Sequence, residues 1–126
     1  MGEVSISATA RQYPRLPYQK LKDDILGTGY RLSLVFVGRT RAQQLNRQYR
    51  HKDYVPNVLS FPLDETTGEI FITPTVATSQ SAKFDLSPRG YIGFLYIHAL
   101  LHLKGHAHGD TMEKAERHYL HKYDLR

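Results

Sequence analysis

The sequence predicts an α+β domain built on one small β-sheet. Segments of period two and period 3.6 are interspersed along the chain, the C-terminal half is rich in helix, and one helix near residues 89–103 has almost no polar side. VSISA (4–8) alternates as a short strand does. In residues 18–26, Leu21 and Ile25 lie four apart, an amphipathic helix that Gly27 or Gly29 can end. RLSLVFV (31–37) places Leu32, Leu34 and Phe36 on one strand face. Thr40 is suited to cap a helix through about residue 49, with Ala42, Leu45 and Tyr49 as its apolar positions. HKDYVPN reads as a loop, VLSF (58–61) as a strand, residues 62–68 as a turn and EIFI (69–72) as the next strand. Residues 73–86 read as a connection holding a short helix. Ser87 followed by Pro88 is an N-cap with proline at the first helical position, and Gly105 is placed to end the helix they open. Asp110 with Glu113 forms a capping-box pattern for a last helix through about residue 123.

A length of 126 residues implies a single domain, residues 1–126. The chain has no cysteine, which excludes disulfides, thiolate nucleophiles and thiolate-held zinc, so any metal must be bound through nitrogen or oxygen. The start lacks the apolar core of a signal peptide, and no apolar run reaches the roughly 18 residues a membrane span needs, so a cytoplasmic location without membrane attachment is expected. The net charge of +5 favours polyanionic partners, nucleic acid first. Five of the basic residues, Arg39, Arg41, Arg47, Arg50 and Lys52, fall together, with no acid from Arg39 until Asp53.

The densest chemistry lies in HALLHLKGHAHGD (98–110), which carries four histidines. His98 and His102 are at i and i+4 of the apolar helix, about 40° apart around its axis and one turn apart along it, so both rings can point at one atom. Gly105 turns the chain back, and either His106 or His108 can supply a third nitrogen. Such a set suits a three-histidine metal centre with a vacant fourth position. A HExxH-type peptidase needs a carboxylate directly after the first histidine, and here that residue is Ala99. A centre of neutral imidazoles keeps the full charge of the ion and is built for hydrolysis.

Two blocks, LNRQYRHKDYVPNVLSFP (45–62) and HALLHLKGHAH (98–108), resemble the signature segments of the YbeY family of metal-dependent endoribonucleases, also called ribosomal RNA maturation factors. GEIFITP and TMEKAER resemble that family's linking strand and its final helix, so the likeness runs from about Val35 to the C-terminus. The resemblance implies a mixed sheet flanked by helices, a zincin-like metal-bearing helix, and metal ligands at His98, His102 and His108. It implies a catalytic or RNA-contacting role for Arg50 and a catalytic role for His98. The chain departs from the family pattern at Ala99, where a glycine stands, at His106-Ala107, which replace a Tyr-Asp pair, and at Val55-Pro56. If that aspartate orients a ligand, Asp110 is its nearest substitute and His106 becomes a rival ligand.

The expected function is therefore a metal-dependent endoribonuclease that cuts single-stranded ribosomal RNA, with small-subunit ribosomal components as partners. Zinc is the expected ion, with nickel able to use the same ligands. Arg50 is suited to stabilise phosphate charge, with a salt bridge to Asp53 as its alternative role. Arg47 and Lys52 would contact the RNA backbone, and Tyr49, Tyr54 and Phe61 would offer stacking surfaces. The alternative is an RNA-binding ribosome-assembly factor whose metal is structural.

Overall fold

The computed structural model describes residues 2–9 and 13–126. The elements are β1 (Val4–Ala8), α1 (Tyr18–Leu26), β2 (Arg31–Phe36), α2 (Arg39–Arg50), β3 (Val58–Asp64), β4 (Thr67–Ile72), α3 (Pro74–Gln80) with a 3-10 turn at Ser81–Phe84, α4 (Pro88–Lys104) and α5 (Asp110–Lys122). The strands form one sheet in the order β1-β2-β4-β3. β1 and β4 both run parallel to β2, and β3 runs antiparallel to β4. The fold class is thus the α+β one read from the sequence, and the sheet is mixed.

Register explains where the core lies. Leu32, Leu34 and Phe36 pair with Gly68, Ile70 and Ile72, so the alternate residues of both central strands share one face. That face receives α4, whose Tyr96, Ile97, Leu100 and Leu101 are buried, together with Leu21 and Ile25 of α1. The Tyr96 hydroxyl donates to the Tyr18 carbonyl at 2.8 Å, which ties the central helix to α1. On the opposite face the Phe61 ring lies between Phe71 and Tyr49 of α2, at centroid distances of 5.9 and 5.4 Å. α4 can be apolar all round because it is covered from several sides, by the sheet, α1, α3 and α5.

Four local readings need correction. β3 does not stop at Phe61 but continues to Asp64, and a two-residue turn leads straight into β4. Pro62 is tolerated there because β3 is an edge strand, whose missing N–H breaks no ladder. α2 starts two residues earlier than a Thr40 cap requires, with Gly38 at its N-cap. α5 is capped by Gly109, so Asp110 is its first residue and makes no capping box; with Glu113 it still places negative charge in the first turn, where the helix dipole favours it. Tyr49, expected on the apolar stripe of α2, is 58% exposed. The cap of α4 matches expectation: Ser87 Oγ accepts from Gly90 N at 3.0 Å, and Gly105 ends the helix at φ 107°.

Candidate metal centre

His98 and His102 stand on the last turns of α4, and Gly105 in its left-handed conformation reverses the chain so that His108 returns to them. One ligand nitrogen from each of the three rings lies within 4.8 Å of the other two. The two helical rings have their Nε2 atoms 3.0 Å apart. His108 faces both, with ring centroids at 5.1 Å from His98 and 4.7 Å from His102. Among the described residues this is the one group of three or more metal-type side chains so converged, and His106 is not part of it.

The surroundings suit a cation. Burial lowers the His98 pKa, with the neighbouring His108 adding to the effect. Burial also lowers that of His102, and His98 and His108 add to it, while a hydrogen bond with the His106 backbone works the other way. Rings kept neutral in this way offer lone pairs, the form a metal requires. Three imidazole nitrogens facing one point, without a lysine or arginine among them, could hold a divalent ion.

A carboxylate that sequence spacing did not indicate completes the arrangement. Glu116 of α5 is 6% exposed and places Oε2 at 3.3 Å from His98 Nδ1, the ring nitrogen other than the Nε2 that meets His102. Burial raises the Glu116 pKa, and Glu113 nearby adds to this. The signal was present but slight: Met112 and Glu116 are i and i+4 on the buried side of α5, so an acid sits on an otherwise apolar stripe. Asp110, the substitute considered from the sequence, is exposed at the start of α5.

The triad opens into a cleft of about 510 Å³ between α4 and the edge strand β3. His98, His102 and His108 line it with Val58, Ser60 and Asn57, and Arg50 at the end of α2 completes its wall. The structure therefore brings Arg50 into the same cleft as the histidines. It also decides against the Arg50–Asp53 pair, because Asp53 is engaged by Arg47 Nε at 3.1 Å. Asn57 is oriented by Gln80, whose Oε1 accepts from its Nδ2 at 3.1 Å. Tyr49 and Tyr54 are exposed beside the basic helix, Phe61 is half-buried, and Lys52 is exposed. His51 caps α2 in a left-handed conformation, and His118 and His121 lie on the surface, outside the cluster.

Comparison with known proteins gives the family and the fold. The family model described as Endoribonuclease YbeY matches residues 3–124, which carries the likeness well before Val35, through the segment in which the sequence showed no motif. A Mesoplasma florum protein named Endoribonuclease YbeY is 37% identical over 110 residues, covering 79% of this chain and 62% of the relative. Proteins of the same name from Spiroplasma citri and Staphylococcus carnosus are 36% and 34% identical, covering 72% and 78% of this chain and 66% and 69% of the relatives. The chain thus spans a little under two thirds of the first two relatives' length. A solution structure of a Thermotoga maritima protein shares the fold, with a TM-score of 0.69 at 20% identity, covering 96% of this chain and 89% of that one. No helix among the described residues is long and apolar enough to cross a membrane. With the family model covering nearly its whole length and relatives well above 30% identical, the chain belongs to the YbeY family.

Proposed function

We propose that this chain, residues 1–126, is a single hydrolase domain that acts as a metal-dependent endoribonuclease on single-stranded regions of ribosomal RNA. The observation that carries the reading is the shared cleft: three histidines with ligand atoms within 4.8 Å of one another, and an arginine with no acidic partner in its loop on the same wall. His98, His102 and His108 would hold the ion, zinc by preference for an all-nitrogen set and nickel as the nearest rival. When bound, such an ion supplies Lewis-acid charge to a phosphodiester and makes water more acidic.

The chain's own residues supply binding and orientation. The Arg50 guanidinium cannot lose its charge near neutral pH and can donate two parallel hydrogen bonds to phosphate oxygens, so it stabilises the extra negative charge of the five-coordinate phosphorus. His98 would contribute to catalysis as one of the residues that hold the ion. Lys52 and the other cations of α2 attract the RNA backbone in a salt-dependent way. Tyr49 and Tyr54, both exposed and close to Arg50 in the sequence, offer faces to unpaired bases, which favours single strands over duplex. Among the described residues no acid lines the cleft to repel the polyanion. A cytoplasmic setting beside small-subunit ribosomal components fits this substrate.

A cleavage assay on unstructured RNA tests the reading, run with zinc, with a chelator, and with His98→Ala and Arg50→Ala. Cutting that needs the metal and both residues supports the enzyme. RNA binding without any cutting by the metal-loaded wild type supports instead an assembly factor with a structural metal.

A further inference from the structure

The carboxylate behind His98 belongs to a helix that contributes no ligand. Glu116 lies eighteen residues from His98, and only the packing of α5 against α4 brings the two together. The geometry of the ring then sets the chemistry. Nδ1 and Nε2 are on different edges of the imidazole; Nδ1 faces Glu116 Oε2 at 3.3 Å, and Nε2 faces His102 at 3.0 Å. A carboxylate can only accept, so the proton of a neutral His98 ring sits on Nδ1 and the lone pair is left on Nε2, the nitrogen that faces His102.

We propose that Glu116 is a positioning residue of the histidine centre, locking the His98 ring in the Nδ1–H tautomer and in the orientation that presents Nε2 to the ion. The proposal rests on the metal-site reading above, and it goes beyond the ligand set. The three rings are not supported alike. His102 meets His98 through its Nε2 and, among the described residues, has no carboxylate as a hydrogen-bond partner. His108 sits on an exposed turn, and no hydrogen bond to its ring is present among the described residues. His98 alone is held by a charged group, and that group is itself out of water, at 6% exposure. A buried anion behind the ring also makes the imidazole a stronger donor, since electron density withdrawn by the cation is returned through the N–H. Glu116 also borders a hollow of about 300 Å³ that it shares with His98, His108, Phe94 and Met112.

The test uses the full chain with Glu116→Ala, which removes the acceptor, and Glu116→Gln, which keeps an acceptor oxygen and loses the charge. Two readouts are taken that activity does not enter: zinc affinity by competition with a chelator, and the ring nitrogen signals of His98 in the metal-free protein. Glu116→Ala should weaken zinc by roughly 10- to 100-fold and let the His98 proton populate both nitrogens. Glu116→Gln should fall between it and the wild type, a partial rescue that a general loss of packing does not produce. The proposal is overturned if folded Glu116→Ala keeps zinc affinity within about twofold of wild type, or if the wild-type His98 proton resides on Nε2. Should Glu116→Ala fail to fold, the Gln variant decides on the same two readouts. If the wild type takes up no zinc at all, the metal reading falls by itself, and the His98 tautomer still decides what Glu116 does.

Discussion

The Arg47 guanidinium lies 3.1 Å from the Asp53 carboxylate, and this ion pair takes up the one acid in the stretch from Arg39 to Asp53. Both partners are well exposed, so the pair adds little to stability. Arg47 thus meets the loop after α2, while Arg50 lines the cleft, where the proposed function has it bind phosphate. Arg50→Ala should therefore lower RNA cleavage by roughly 100-fold or more while leaving the melting temperature nearly unchanged. Asp53→Asn should leave the rate within a few-fold of wild type. Single-turnover kinetics beside thermal melts check both, and an Arg50→Ala protein that cuts normally removes Arg50 from the mechanism.

Metal removal has a thermodynamic signature independent of activity. An ion held by His98, His102 and His108 stabilises only the folded chain, by about 2.7 kcal/mol at a hundredfold excess over its Kd. For a domain of this size that corresponds to a melting shift on the order of 10 °C, lost with chelator and absent in His102→Ala or His108→Ala. Differential scanning calorimetry with and without zinc reads the shift.

The same centre sets a pH window. Burial depresses His98 and His102 below the ordinary 6.5 in the folded state, so the folded chain binds fewer protons than the unfolded one just below that value. Their contribution to stability is complete above about pH 6.5 and is lost as the pH falls through the depressed values. Metal-free protein should thus melt at progressively lower temperature below pH 6.5, and zinc should shift the acid limb further down because protons and the ion compete for the same nitrogens. An acid limb unmoved by zinc excludes these rings as the ligands.

Tyr96 provides a check on what holds the metal-bearing helix. Its hydroxyl is buried and donates to the Tyr18 carbonyl at 2.8 Å. Tyr96→Phe keeps the ring and leaves that carbonyl without its partner, a loss of roughly 1–2 kcal/mol by urea denaturation. Zinc affinity should stay near wild type, since the Tyr96 hydroxyl is turned to α1 while His98 and His102 line the cleft.

Tyr49 is 58% exposed yet its ring rests on Phe61, a base-sized face next in sequence to Arg50. Tyr49→Ala should weaken binding of a single-stranded oligonucleotide by roughly 5- to 150-fold, the range for losing one stacked base, with duplex binding little altered. Tyr49→Phe should bind as wild type does. Fluorescence anisotropy with both nucleic acids distinguishes the outcomes.

Much of this was legible in residue order because it depends on neighbours in the chain. Period two marked all four strands, and the Ser87-Pro88 start and Gly105 stop bracketed α4 correctly. Strand ends were less legible: Pro62 reads as a breaker in isolation, and nothing local says that β3 will be an edge where proline costs no ladder bond. Lys22 shows the limit most clearly. On an amphipathic helix it reads as a solvent-facing cation, yet it is fully buried, donating to the Gly2 and Gly27 carbonyls at 2.9 and 3.1 Å.

By itself the order of residues determined that two histidines share one face of a rigid helix and that a glycine returns a third, because helix geometry relates positions four apart whatever surrounds them. Tertiary packing alone decided that β1-β2-β4-β3 would be the sheet order, that Arg50 would face the histidines across a cleft, and that Glu116 would stand behind His98. These relations join residues far apart in the chain, and they exist only where burial of apolar faces brings separate elements into contact.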